Sequence, residues 1–130
     1  MTTTVLVIED EADIRQSIRT ILETAGYAVI EAENGIPGLS LYASRRPDLV
    51  LTDIVMPEKD GLETIREICR MDPAAAIIAM SAYEYGRMDF LEIAKRFGAA
   101  GTLRKPFRPD ELLASVSWVL GEKRARSIRR

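Results

Sequence analysis

The feature that most constrains this chain is a repeated alternation of short apolar runs with segments of helical periodicity. "TVLVIE" (residues 4–9) is a continuous apolar run ending in an acid, the pattern of a strand buried on both faces. Ile14, Ile18, Ile21 and Leu22 then recur at i, i+4, i+7 and i+8, which predicts an amphipathic helix over residues 12–25, stopped by Gly26. The alternation continues with "YAVIEA" as a strand, residues 35–44 as a helix, "DLVLTD" as a strand, and a helical face of Leu62, Ile65, Ile68 and Cys69. "AAIIAMS" predicts a fourth strand and "GTLRK" a fifth. Between them Phe90, Leu91, Ala94 and Phe97 mark a helix that Gly98 ends, and after them Leu112, Leu113, Val116, Val119 and Leu120 mark a last helix. Parallel neighbours need crossovers, and right-handed crossovers place helices on both faces of the sheet. The expected fold class is therefore α/β, a doubly wound, five-stranded parallel sheet of (βα)5 type.

Composition narrows the function classes. The chain has 130 residues, the size of one domain, with 47% hydrophobic and 29% charged residues. Eighteen Lys plus Arg against 20 Asp plus Glu give a formal charge of −2, so no basic field holds nucleic acid or an anionic membrane. With no histidine and one cysteine, Cys69, the chain forms no internal disulfide and offers a zinc site almost no ligands. Cys69 is expected to pack on a helix face. No apolar stretch approaches the ~20 residues that span a bilayer, and the start lacks a secretory pattern, so a cytoplasmic location is expected. The domain is expected over residues 1–121, followed by a basic tail of residues 122–130 too short for an output domain. In that tail Lys123, Arg124, Arg126, Arg129 and Arg130 read as a solvated helix end, with a docking arm for an acidic partner as the lesser reading.

In an open parallel sheet the ligand site lies beyond the carboxyl ends of the strands, where the winding reverses. Glu9 and Asp10 end the first predicted strand, Asp53 the third, Ser81 the fourth and Lys105 the fifth. Three clustered carboxylates either raise one another's pKa or hold a cation, and all-oxygen donors select a hard one, with Mg²⁺ foremost. An Asp carboxylate in such a site suits nucleophilic attack on phosphorus, with Mg²⁺ and Lys105 neutralising the transferring group and the Ser81 hydroxyl bonding one of its oxygens. Taken singly the residues have plainer uses: Asp53 suits a turn or N-cap, Glu9 and Asp10 suit the cap of the first helix, Ser81 ends a strand as many serines do, and Lys105 suits a surface.

At these residues the sequence resembles the receiver domain of bacterial two-component response regulators, over residues 4–121. "VLVIEDE", "LVLTDIVMPEKDG", "IIAMSA" and "GTLRKPF" carry the resemblance, in order and at successive strand ends. It implies a flavodoxin-like strand order of 2-1-3-4-5, like the single-domain chemotaxis regulators. It further implies that Asp53 accepts a phosphoryl group from a histidine kinase, a phosphotransfer protein or a small acyl phosphate. Mg²⁺ would lie on Asp10, Asp53, the Val55 carbonyl and, through water, Glu9, while Lys105, preceding a cis Pro106, would pair with the phosphoryl group. The expected product is a switch that controls a downstream protein through the face of the fourth helix, fifth strand and fifth helix, with a homodimer on that face as the alternative to a different partner.

Departures from the family pattern and other classes complete the reading. Thr102 stands where the family often carries a switch aromatic, which leaves Tyr83 and Tyr85 either to order the loop before the fourth helix or to stand there as exposed loop tyrosines without a role. Val55 and Tyr83 flank the path of the hydrolytic water, and neither is a base at neutral pH, so slow self-dephosphorylation is expected. Trp118 falls off the stripe of Leu112, Leu113, Val116 and Leu120, as an interface anchor or a helix-edge packing residue. A haloacid-dehalogenase-like phosphatase would carry a second acid where Val55 stands, and a flavin carrier's phosphate loop conflicts with the acids of "EDEADI". A phosphorylation-independent adaptor of receiver fold, and a receiver excised from a longer regulator, stay open on sequence.

Overall fold

The computed structural model describes residues 2–56, 59–82, 84–85 and 88–128. Along the chain run β1 (Thr4–Ile8), α1 (Ala12–Thr24), β2 (Ala28–Ala32), α2 (Gly35–Arg45), β3 (Leu49–Asp53) and α3 (Gly61–Met71). They are followed by β4 (Ile77–Ser81), β5 (Glu84–Tyr85), β6 (Met88–Asp89), α4 (Phe90–Phe97), β7 (Gly101–Arg104) and α5 (Pro109–Ile128). Among the described residues, five strands pair in parallel in the order β2-β1-β3-β4-β7, with β7 the fifth strand expected from sequence. The winding reverses at β1, whose neighbours are β2 on one side and β3 on the other. Ile8 pairs with Thr52, so the residues that follow each meet at the switch point.

Period-2 alternation divides the strand side chains between two helical layers. Leu6 and Ile8 join Val50, Ile77, Ile65, Ile68 and Leu91 on the face covered by α2, α3 and α4. Val5 and Val7 join Leu49, Leu51, Ile78, Ile18, Leu22, Leu112, Val116 and Val119 on the face covered by α1 and α5. Burying each such side chain stabilises the fold by roughly 1.5–3 kcal/mol, so the strand tips are fixed by packing on both sides of the sheet rather than by the polar groups they carry. Cys69 packs partly buried against the first cluster, as expected from its helix face.

Several local expectations need correction. A two-stranded antiparallel hairpin, β5 paired with β6, stands before α4 where only a loop was expected. Helix α5 runs on to Ile128, as the solvated helix end read from sequence, because residues 122–126 are good helix formers; Lys123 Nζ adds a bond to the Asp48 carbonyl at 3.2 Å that the sequence did not show. Phe97 ends α4 exposed instead of joining the core, since the helix stops at Gly98, whose positive φ turns the chain. The first helix is N-capped by Glu11 without a side-chain capping bond, so the capping role considered for Asp10 falls away, while Glu9 Oε2 accepts the Glu11 N–H at 3.2 Å. Tyr83, Pro57, Arg129 and Arg130, all singled out in the sequence, lie outside the described residues, as does the side chain of Tyr85.

Candidate functional site

Asp53 is the last residue of β3 and is almost wholly buried. Its mount is rigid for three local reasons. The Ile54 N–H donates to Asp53 Oδ1 at 2.8 Å, the Thr52 hydroxyl donates to the Asp53 carbonyl at 2.9 Å, and the Gly61 N–H donates to the Ile54 carbonyl at 2.7 Å. Gly61 opens α3 so close to the strand that a Cβ there would lie 2.0 Å from the Asp53 carbonyl oxygen. Asp60 caps this helix, its Oδ1 accepting the Glu63 N–H at 2.9 Å.

Lys105 follows β7, across a cis bond to Pro106, and its backbone N–H donates to the Ser81 carbonyl at 3.0 Å. Its ammonium bonds Asp53 Oδ2 at 3.1 Å and also bonds Glu9 Oε1. Glu9 is fully buried, Asp10 half-buried, and one carboxylate oxygen from each of Glu9, Asp10 and Asp53 lies within 4.8 Å of the others. Ser81 is fully buried at the tip of β4, one position past the Met80 that pairs with Asp53. The structure thus brings the acids and the lysine together, with Ser81 joined through its carbonyl to Lys105.

Burial dominates the electrostatics. It pushes the Glu9 carboxyl up to about 7, against the pull of the Lys105 bond and helped by the nearby Asp53 charge. Burial likewise raises the Asp53 carboxyl, again opposed by Lys105. Lys105 is itself lowered by burial but raised further by its two carboxylate partners, so the ammonium gains from the arrangement while each carboxylate loses more to burial than it recovers. Three carboxylates facing one ammonium leave a deficit of positive charge that a divalent cation would fill, and the donors are all oxygen.

The family described as the response regulator receiver domain matches residues 5–117 of this sequence. The chain belongs to that family. Among curated relatives, the receiver is 40% identical to Protein CcdB of Bacillus subtilis, covering 92% of this chain and 98% of that protein. It is 37% identical to the chemotaxis protein CheY of Thermotoga maritima, covering 88% and 95%. A crystal structure of a CheY-like receiver domain protein from Methanospirillum hungatei superposes with a TM-score of 0.91 at 25% identity, over 97% of this chain and 99% of that one. The five-stranded order observed is the flavodoxin-like order that the resemblance implied. Receivers are signalling proteins of two-component systems rather than enzymes with a turned-over substrate.

In this receiver a cavity of about 670 Å³ opens from the acid cluster. Asp10, Asp53, Val55 and Lys105 line it, as do Ile14, Ile18 and Ile21 of α1, interleaved with Asp13 and Ser17, and Phe107 beyond β7. Val55 is exposed there, and Thr102 is half-buried on β7. Trp118 is 60% exposed on α5, off the core stripe as expected. Among the described residues no helix is long and apolar enough to cross a membrane.

Two residues at the rim escaped the sequence reading. Arg15 Nη1 donates to the Glu9 carbonyl at 2.7 Å, and Arg15 Nε donates to Glu31 Oε1 at 3.3 Å. The signal was present: Glu31 is a charge inside an otherwise apolar strand, the same anomaly that marks Asp53.

Proposed function

We propose that this receiver is a phosphorylation-controlled switch in which Asp53 is the phosphoacceptor. The observation that carries the reading is the buried Asp53 carboxylate, 3.1 Å from the Lys105 ammonium and clustered with the carboxylates of Glu9 and Asp10. The donor is the phosphohistidine of a histidine kinase or phosphotransfer protein, or a small acyl phosphate. An Asp53 oxygen attacks phosphorus, the P–N bond of the phosphohistidine breaks, and the imidazole leaves with the bonding pair, giving an acyl phosphate on Asp53.

Asp10, Asp53, the Val55 carbonyl and, through water, Glu9 would hold Mg²⁺, which when bound supplies positive charge to the transferring oxygens. Lys105 supplies a further charge from the other side and moves from its carboxylate partners to the phosphoryl oxygens. The Ser81 hydroxyl donates to one of those oxygens. The cavity beside Asp53, lined by Ile14, Ile18, Ile21 and Phe107 with Asp13 and Ser17 among them, suits an amphipathic helix carrying the donor histidine.

Phosphorylation shifts the domain by the differential stability that the phosphoryl group gives one state through Ser81 and Lys105. The change is read by a downstream protein, or a second copy, on the face formed by α4, β7 and α5, where Trp118 supplies an exposed anchor. The chain works in the cytoplasm, without direct contact to nucleic acid or membrane. The test is the intact mass after incubation with acetyl phosphate. A gain of one phosphoryl group that requires MgCl₂ and is absent from Asp53→Ala supports the reading, whereas no gain from acetyl phosphate or a phosphorylated kinase supports a phosphorylation-independent adaptor.

A further inference from the structure

The turn that carries Glu9 and Asp10 is gripped from outside the acid pocket. The Glu9 N–H donates to the Ala32 carbonyl at 3.0 Å, which ties the peptide before Glu9 to the end of β2. The peptide after it, whose carbonyl belongs to Glu9 and whose N–H belongs to Asp10, is held by Arg15 Nη1 at 2.7 Å. A peptide unit is planar, so holding its carbonyl also holds the Asp10 N–H and Cα that share its plane, the point from which the Asp10 side chain departs. Arg15 is itself held at a second point. Its Nε bonds Glu31 Oε1 at 3.3 Å, and the other Glu31 oxygen accepts from Arg19 Nη1 at 2.5 Å. Arg19 is braced in turn by Glu23 at 3.1 Å, one helical turn along α1. Arg15 and Glu31 are both mostly covered, with side-chain exposures of 20% and 26%, so water competes only partly for their bonds. A guanidinium suits this task because its donors leave at fixed angles and engage two acceptors at once, which an ammonium does less rigidly.

The geometry points to Arg15 as a positioning residue for the cation site: clamped by Glu31, it orients the Glu9–Asp10 peptide so that both carboxylates face a divalent cation. The inference rests on the reading of Glu9, Asp10 and Asp53 as that site. Arg15 touches neither the acceptor carboxylate nor the transferring group, so its effect falls on cation affinity and not on the phosphoryl-transfer step. Outer partners that orient metal ligands commonly change affinity by about 10- to 100-fold.

The test is a MgCl₂ titration followed by the amide chemical shifts of Asp10, Asp53 and Ile54 in the full chain. It compares the wild type with Arg15→Met, Arg15→Lys and Glu31→Gln. Arg15→Met is expected to weaken Mg²⁺ binding by about 10-fold, with Arg15→Lys intermediate and Glu31→Gln weakened by about 3-fold. The rate of phosphorylation by acetyl phosphate at saturating MgCl₂ is expected to stay within about twofold of wild type, while its half-saturation in MgCl₂ shifts with the affinity. A general structural defect would lower that plateau instead. A dispersed Arg15→Met spectrum with wild-type affinity overturns the inference. Should Arg15→Met fail to fold, Glu31→Gln decides in the same way, since unchanged affinity there removes the clamp. If the wild type itself shows no saturable shifts, the cation-site reading falls and this inference with it, an outcome distinct from a binding wild type whose variants bind equally well.

Discussion

The Lys105 ammonium lies 3.1 Å from Asp53 Oδ2 and also bonds the buried Glu9, so one cation is shared between two carboxylates that burial penalises. The two partners of this bond therefore respond differently to removal. Lys105→Met leaves Asp53 and Glu9 buried without their cation, forcing a proton onto the pair near neutral pH, and is expected to cost about 3 kcal/mol, the scale for breaking a buried pair from one side. Asp53→Asn removes a charge whose pKa burial has raised, and is expected to be neutral or stabilising. Urea unfolding in EDTA measures both; equal destabilisation by the two substitutions would contradict the electrostatic account.

Gly61 and Gly121 make a matched pair. A Cβ at Gly61 would meet the Asp53 carbonyl oxygen at 2.0 Å and the Ile54 Cα at 2.7 Å, both backbone atoms, so the strand tip itself would have to move. Gly61→Ala is expected to cost about 3 kcal/mol and to slow phosphorylation of Asp53. Gly121 lies within α5, and a methyl group added there would meet nothing within 4 Å, so Gly121→Ala is expected to stabilise by about 1 kcal/mol through helix propensity alone. Thermal unfolding of both variants, alongside the phosphorylation rate of Gly61→Ala, checks the contrast.

Val55 lines the cavity beside Asp53 with an exposed side chain that has no hydrogen-bonding group. A side chain that cannot orient or activate a water beside the proposed acceptor predicts a long-lived acyl phosphate. Val55→Asn is expected to shorten the phosphoryl half-life by about 10-fold, below the roughly 10²–10⁴ that a full general base supplies. Loss of phosphorylated mass with time gives the half-life, and an unchanged or longer one in the variant would contradict the assignment.

At the opposite end of the sheet the buried Tyr42 hydroxyl donates to Asp72 Oδ2 at 2.7 Å and joins α2 to the end of α3. That bond holds the Asp72 carboxyl below its ordinary value of 3.8. A depressed carboxyl contributes stability above its unfolded pKa and loses it as pH falls through the folded value. Tyr42→Phe is expected to cost about 1.5 kcal/mol at pH 7 and progressively less below pH ~4, as Asp72 protonates in both chains. Denaturation midpoints at pH 7 and pH 3 measure the difference, and a cost that stayed constant or grew at low pH would contradict it.

What could be read from the sequence follows from which forces act locally. The five parallel strands and their helices announce themselves by apolar periodicity, because both layers of the core are built from those positions. Asp53 and Lys105 were legible because a charge at the end of an apolar run conflicts with burial unless a partner meets it. The β5–β6 hairpin was not, since strands of two residues are too short to show alternation. The end of α5 was legible as a solvated helix end from its charged helix formers, whereas the bond from Lys123 to Asp48 was not, since its acceptor is a backbone carbonyl far along the chain. Arg15 was half legible: its partner Glu31 stands out as a charge in an apolar strand, but its other acceptor is a backbone carbonyl, which carries no residue identity to read.

The central claim is that the phosphoryl group resides on Asp53. Borohydride reduction of an aspartyl phosphate converts that residue to homoserine, and peptide mass mapping then locates it. After reaction with acetyl phosphate and MgCl₂, the account predicts homoserine at position 53, and none when MgCl₂ is replaced by EDTA. Homoserine at position 10, or phosphate retained on Ser81, would contradict it.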